Sequence, residues 1–185
     1  MVIGFDTTVF PKLDYKTPEN FWKTIEYLEE FFSIHNDSLT DVIASAQAMK
    51  RCFDEFDPFI QHYTSRVCPY CGTVCCANKF GFPEFADIIS FLALGLQVPD
   101  YDLDVDEDAI CQFIGEKGCI LPRLQRPYRC TWYFCDPLMA QIDIGPIKHY
   151  RQFIQGVQDL SRTRGDVMRA FLPVWEKLGK DIITT

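Results

Sequence analysis

Eight of the nine cysteines in this 185-residue chain fall into two sets. The first is Cys68-Pro69-Tyr70-Cys71-Gly72-Thr73-Val74-Cys75-Cys76, and the second is Cys111, Cys119, Cys130 and Cys135. Thiolates bind soft or borderline ions, so zinc, Cu(I) and iron–sulfur iron are the chemistry such sets suggest. In Cys68-x2-Cys71 a tight turn aims both sulfurs at one ion, and Pro69 and Gly72 give it the look of a zinc-ribbon knuckle. Backbone N–H groups in such a turn also stabilise thiolate charge.

A zinc ribbon needs a second Cys-x2-Cys, and the chain has none. Cys130-Thr-Trp-Tyr-Phe-Cys135 is wider. Cys75 and Cys76 are neighbours whose side chains point apart, which suits two irons of one cluster or two separate ions. Cys68-x2-Cys71-x3-Cys75 is not a standard ferredoxin run. It also reverses the Cys-x3-Cys-x2-Cys order of radical SAM enzymes. Eight thiols exceed one zinc site. We therefore expect Cys68, Cys71, Cys75, Cys76, Cys111, Cys119, Cys130 and Cys135 to hold an iron–sulfur cluster, with two four-thiolate zinc sites as the alternative. Cys52 is expected to be a buried thiol outside the site.

The two blocks resemble the CxxCxxCC, or YkgJ-like, family of zinc- or iron-chelating proteins. That family carries a Cys-x2-Cys-x2-Cys-Cys block, a further Cys, a Gly-x-Cys followed by Ile-Tyr, and an Arg-Pro-x-x-Cys block. Here the first block is Cys68, Cys71, Cys75 and Cys76, with three residues before the vicinal pair instead of two. Cys111 follows, then Lys117-Gly118-Cys119-Ile120-Leu121 and Arg126-Pro127-Tyr128-Arg129-Cys130. Leu121-Pro122 replaces the Ile-Tyr continuation, the gap from Cys119 to Cys130 is one residue longer, and Cys135 is additional. The likeness covers about residues 67–136 and implies metal chelation. Some relatives resemble flagellin lysine N-methylases that carry an iron–sulfur cluster, but no motif here extends that activity to this chain.

Other residues around the thiols carry simpler expectations. Arg126 and Pro127 either orient the turn into Cys130 or offset thiolate charge. Tyr128, Trp132, Tyr133 and Phe134 are read as packing residues. His62 is a reserve ligand near Cys68, whereas His35 and His149 are isolated. Asp100, Asp102, Asp104 and Asp106 lack the Gly and Glu of a calcium loop and read as a solvated loop. Lys148, Arg151, Arg162, Arg164 and Arg169 read as a solvated helix face. No nucleotide-binding or common hydrolase motif occurs, and no catalytic residue is assigned.

The elements that position the thiols are read as helices. Thr17-Pro18-Glu19 opens one, with Phe21, Ile25, Leu28 and Phe32 at helical spacing and an end near Asn36-Asp37. Ser38 with Asp41 resembles a capping box for a second, striped by Val42, Ala46, Met49, Phe53 and Phe56 and ended or kinked at Pro58. A buried helix is expected from Pro83 to about Gln97. Gly115-Glu-Lys-Gly118 is a turn whose regular hairpin would pair residue 114 with 119, so that either the hairpin is irregular or Cys111 and Cys119 serve different parts of the site. Gly145-Pro146 starts a last helical region with Ile147, Tyr150, Ile154, Val157 and Leu160 on one face. Gly165 should interrupt it and Pro173 kink or restart it. Residues 1–16 read as an irregular arm.

The sum is a mainly α single domain over 1–185: N-terminal helices in 1–66, an irregular Cys-rich metal-binding region with little β in 67–138, and C-terminal helices in 139–185. Hydrophobic residues at 48% supply a core, and the net charge of −8 disfavours nucleic acid as a partner. No apolar run is long enough to span a bilayer. The first residues lack a basic n-region and an apolar h-region, so the cytoplasm is the expected compartment. Reduced thiols there favour metal over disulfides. A protein partner remains open. The functions that follow are metal binding, a cluster-dependent redox or methyl-transfer-type enzyme, or a zinc-stapled helical adaptor.

Overall fold

The computed structural model describes residues 13–72, 75–116 and 118–179. Most of the expected arm, 1–12, lies outside them. The described residues are 69% helical, with one two-stranded sheet, as a mainly α protein should be.

Helix α1 spans Pro18–Ile34 and buries Phe21, Ile25, Leu28 and Phe31. Phe31, not Phe32, completes the core stripe, and Phe32 stacks on Phe171 at 5.9 Å instead. Pro18 starts the helix as expected, but the Thr17 side chain makes no capping bond. A 3₁₀ turn at Asn36–Leu39 then leads into α2, Thr40–Val67. Ser38 lies inside that turn and the expected capping box does not form.

Helix α2 is the main departure from expectation. It runs through Pro58 and buries Ile60 and Tyr63 beyond it. Proline costs the helix one hydrogen bond and a clash, about 3 kcal/mol. Burying Phe56, Ile60 and Tyr63 on one face offsets that, at about 1.5–3 kcal/mol for each large side chain.

The next elements are short: α3, Asn78–Gly81, then α4, Phe85–Ala93. Helix α4 stops earlier than expected because Gly95 adopts φ +67°. Gly95 N–H donates to Leu92 O and Leu96 N–H to Phe91 O, both at 2.9 Å. This is a Schellman stop, which strongly favours glycine. Strands β1, Ile114–Gly115, and β2, Gly118–Cys119, form the expected hairpin with Ile114 opposite Cys119. Helix α5 is Arg129–Trp132 and α6 is Asp136–Asp143. The sequence reading missed α6, although Pro137 at its first turn and Leu138 and Ile142 at i,i+4 mark it.

Helix α7 spans Ile147–Leu178 without a break. Gly165 and Pro173 neither interrupt nor restart it. Its buried face is Phe153, Leu160, Thr163, Val167, Met168, Phe171 and Trp175. The expected face is correct at Leu160 and wrong earlier, because Ile147, Tyr150 and Ile154 are exposed. The cause is the contact with α2, which is the most extensive in the molecule. Phe153 meets Phe56 and Phe59 with ring centroids 6.4 and 6.3 Å apart. Gly156 packs directly on the Phe56 ring, where a Cβ would lie 2.4 Å from the nearest ring carbon. Turning these residues towards α2 leaves Ile147, Tyr150 and Ile154 outside.

Further along, Phe31, Phe171, Trp175 and Phe85 form an aromatic cluster joining α1, α4 and α7. The long helices thus make a rigid frame, and the cysteine-bearing segments lie between its ends. Gly156→Ala should destabilise the protein by about 1–3 kcal/mol through overpacking. Urea unfolding would detect this as a lower midpoint with unchanged slope.

Candidate metal centre

All nine cysteines are among the described residues, and none is in a disulfide. The α2 helix ends where the first set begins. Cys68-Pro69-Tyr70 forms a 3₁₀ turn, closed by Cys71 N–H donating to Cys68 O at 3.2 Å. Cys135 stands just before α6, which packs against α2. The contact thereby carries Cys135 back to the first set.

The second set is held mainly by backbone pairing. Ala77 and Ile110 form an antiparallel bridge, and Cys111 N–H donates to Cys76 O at 2.9 Å. Cys119 lies opposite Ile114 in the hairpin. Cys130 lies in α5, which packs on α3, and its thiol donates to Phe80 O at 3.6 Å. Gly81 leaves room for the Cys111 sulfur, since a Cβ there would approach it to 2.8 Å.

The thiols interact in two loose clusters, one around Cys68, Cys75 and Cys135 and one around Cys111, Cys119 and Cys130. Burial pushes the Cys68 thiol up, and Cys75, Cys135 and Cys71 push it further. Cys75 is raised by burial and then by Cys135, with which it also shares a hydrogen bond. Cys130 is raised to about 12, by burial first and then by Cys111, Cys119 and Cys76. Cys111 is raised by burial, with Cys119 adding to it. Cys76, raised to about 12 by burial first and then by Cys75, Cys68 and Cys111, leans towards the first set and links it to the second. Among the described residues no three Cys, His, Asp or Glu side chains are already gathered tightly enough to hold an ion. Cys52 stays outside both groups, on α2.

Several residues that sequence reasoning passed over position the second group. Asn78 is buried; its side chain donates to Asp106 O at 2.8 Å and accepts from Gln112 N–H at 2.7 Å. It thus pins the acidic loop and the segment carrying Cys111 to α3. Arg126 donates to Leu121 O at 2.8 Å and Cys119 O at 3.2 Å, so it orients the turn rather than sitting free in solvent. Arg123 is largely buried, pairs with Asp57 on α2 at 2.5 Å, and feels Cys119.

The buried Asp87 accepts from Glu84 N–H at 2.8 Å and from Tyr128 N–H at 3.1 Å. Arg164 of α7 reaches Glu84 at 2.6 Å and Asp87 at 3.5 Å and lies over the Tyr128 ring. Arg164 is thus not part of a solvated face, whereas Arg162 and Arg169 pair with acidic residues on their own helix. Burial raises the Asp87 carboxyl, and Arg164 and the N–H donors pull against this.

The packing expectation holds for Phe134 but not for Trp132 and Tyr133. Phe134 packs on Phe153 at 4.7 Å, while Trp132 and Tyr133 are exposed. His62 has ring contacts with Tyr63 and His149, and His149 shares a 2.6 Å hydrogen bond with the Tyr63 hydroxyl. The acidic loop is exposed apart from Tyr101 and half-buried residues, with Asp102 and Asp106 accepting from Asp104 and Asp108 N–H.

No family model, curated protein or solved structure matches the chain. The likeness to the CxxCxxCC family accordingly stands on the two cysteine blocks alone.

The donor set itself fits a thiophilic ion. Eight sulfurs suffice for two four-cysteine zinc sites or for a cubane cluster. Bringing desolvated thiols together is unfavourable once they ionise, and a cation removes that penalty. The sign for the metal-free chain follows from the raised values. A thiol near 9.0 when unfolded and about 12 when folded contributes stability at neutral pH that is lost as pH rises through that window. Tyr15 and Tyr101, also raised by burial, act in the same direction. Metal-free protein should lose stability progressively above about pH 9. Urea midpoints measured across that range would check it.

Proposed function

We propose that the chain is a metal-binding protein, holding an iron–sulfur cluster or zinc through Cys68, Cys71, Cys75, Cys76, Cys111, Cys119, Cys130 and Cys135. The observation that supports this reading is that the fold returns the two cysteine sets to each other: Cys111 N–H donates to Cys76 O, and Cys76 interacts with Cys75, Cys68 and Cys111. Apolar packing is indifferent to where other thiols lie and has no need of such an arrangement.

When bound, a cluster supplies one-electron chemistry, whereas zinc serves as a redox-silent staple. The chain's own contribution is clearer. The Asn78 and Arg126 hydrogen bonds hold the second group's loops in register, and the α2–α6 contact brings Cys135 to the first. Cys71, Cys75, Cys111, Cys119 and Cys135 are half-buried, whereas Cys68, Cys76 and Cys130 are exposed.

One observation favours a second reading, a cluster-dependent enzyme. A cavity is lined partly by Arg129, the residue before Cys130 in sequence. A purely structural staple has no use for it.

Anaerobic purification followed by metal analysis and an absorption spectrum tests the reading. Stoichiometric iron with a visible charge-transfer band would support a cluster, and stoichiometric zinc with no visible band would support zinc. A folded protein with neither metal, and with stability unchanged by chelators, would overturn metal binding altogether.

A further inference from the structure

The Tyr101 hydroxyl is buried and has no hydrogen-bond partner among the described residues. Burying a hydroxyl in that state is unfavourable, so its place in the fold calls for an acceptor. The side chain has little freedom to find one elsewhere. It is 3% exposed, and its ring is held by Phe113 at 5.1 Å, Phe82 at 6.1 Å and Phe21 at 6.3 Å. The neighbouring backbone is fixed too. The Gln112 carboxamide accepts from Asp102 N–H at 2.8 Å and donates to Asp102 O at 3.0 Å.

The same contacts lead to two sulfurs of the second set. Three consecutive residues, Phe80, Gly81 and Phe82, meet the two thiols and the tyrosine in turn. The Cys130 thiol donates to Phe80 O at 3.6 Å. The Cys111 sulfur lies against Gly81, where a Cβ would come within 2.8 Å of it. The Tyr101 ring packs on Phe82. From the other side, Phe113 N–H donates to the Cys111 sulfur, and the Phe113 ring meets Tyr101 edge-on. Tyr101 accordingly feels Asp87 first, then Cys130, Tyr15 and Cys111.

Two of these neighbours are already engaged. Asp87 accepts from Glu84 and Tyr128 N–H and faces Arg164, and it makes no hydrogen bond with Tyr101. The Tyr15 hydroxyl donates to Pro83 O. The sulfurs remain. A neutral thiol is a weak acceptor, and the Cys130 S–H is itself used as a donor to Phe80 O. A coordinated thiolate differs on both counts. It has no proton to give and sets its charge against the Phe80 carbonyl oxygen, and it is a strong acceptor for an O–H beside it.

We infer that Tyr101 is a positioning residue of the metal centre, whose O–H donates to the sulfur pair Cys111 and Cys130 once these are coordinated as thiolates. The inference rests on the metal reading above and adds to it a residue outside both cysteine blocks. It gives the hydroxyl opposite effects in two states. In the metal-free chain the group is buried without a partner, and in the loaded chain it stabilises charge on sulfur. A role in packing alone would have the same sign in both.

The test is Tyr101→Phe, which keeps the ring and removes only the oxygen. Zn²⁺ is the probe, added to the reduced, metal-free full chain in competition with a chromophoric chelator. Urea unfolding of the same metal-free samples runs in parallel. The variant should bind Zn²⁺ about tenfold or more weakly than wild type, while its metal-free urea midpoint stays level or rises. Equal affinity in the two proteins would overturn the inference and leave the metal reading intact. A metal-free variant less stable than wild type would overturn it as well, because the hydroxyl would then have a partner without metal. Wild-type protein that takes up no Zn²⁺ would overturn it together with the zinc form of that reading.

Discussion

A single buried carboxylate ties together three parts of the chain that are far apart in sequence. Asp87 accepts from Glu84 at the start of α4 and from Tyr128 at the entry to α5, and it faces Arg164 in the middle of α7. Burying a charge is costly unless it is paired and hydrogen-bonded, and removing one partner leaves the other stranded. The three partners are therefore held together, or none is well placed. Cys130 and Arg129 follow Tyr128 directly, so this one interaction sets both the last thiol of the second group and one wall of the adjoining cavity.

The frame behind it is helical and apolar. Helices α2 and α7 approach closely because Gly156 accepts the Phe56 ring. Phe31, Phe171 and Trp175 lock α1 to α7. Such a frame brings the end of α2 and the start of α6 together without help from the cysteines. The thiols are thereby partly desolvated before any ligand arrives, and their mutual repulsion as thiolates is the feature a bound cation would relieve. No described helix is long and apolar enough to cross a membrane.

The sequence made the local parts of this picture legible. The stripe Val42, Ala46, Met49, Phe53 and Phe56, the Pro18 start and the 114–119 pairing are set by nearest neighbours along the chain, and they are found as expected. Pro58, Gly165 and Pro173 misled, because breaker residues act on isolated helices while burial over many turns acts on the folded one. The outward turn of Ile147, Tyr150 and Ile154 was hidden because the face of α7 is chosen by its contact with α2. Arg164 looked like a surface cation, since nothing local reveals that Asp87, far away in the chain, lies beneath it. The eight thiols were visible as candidates, but which of them approach one another depends on how α6 and the hairpin return to the first block. The cavity was not visible at all, because its walls come from separated stretches.

Extended X-ray absorption at the edge of whichever metal co-purifies tests the account most directly. The prediction is a first shell of sulfur alone, about four per metal atom at about 2.3 Å for zinc or for cluster iron. For zinc, Cys75→Ser and Cys76→Ser should each disturb only one of two sites. A first shell containing nitrogen or oxygen ligands in the unmutated protein, or the absence of any stoichiometric metal, would contradict it.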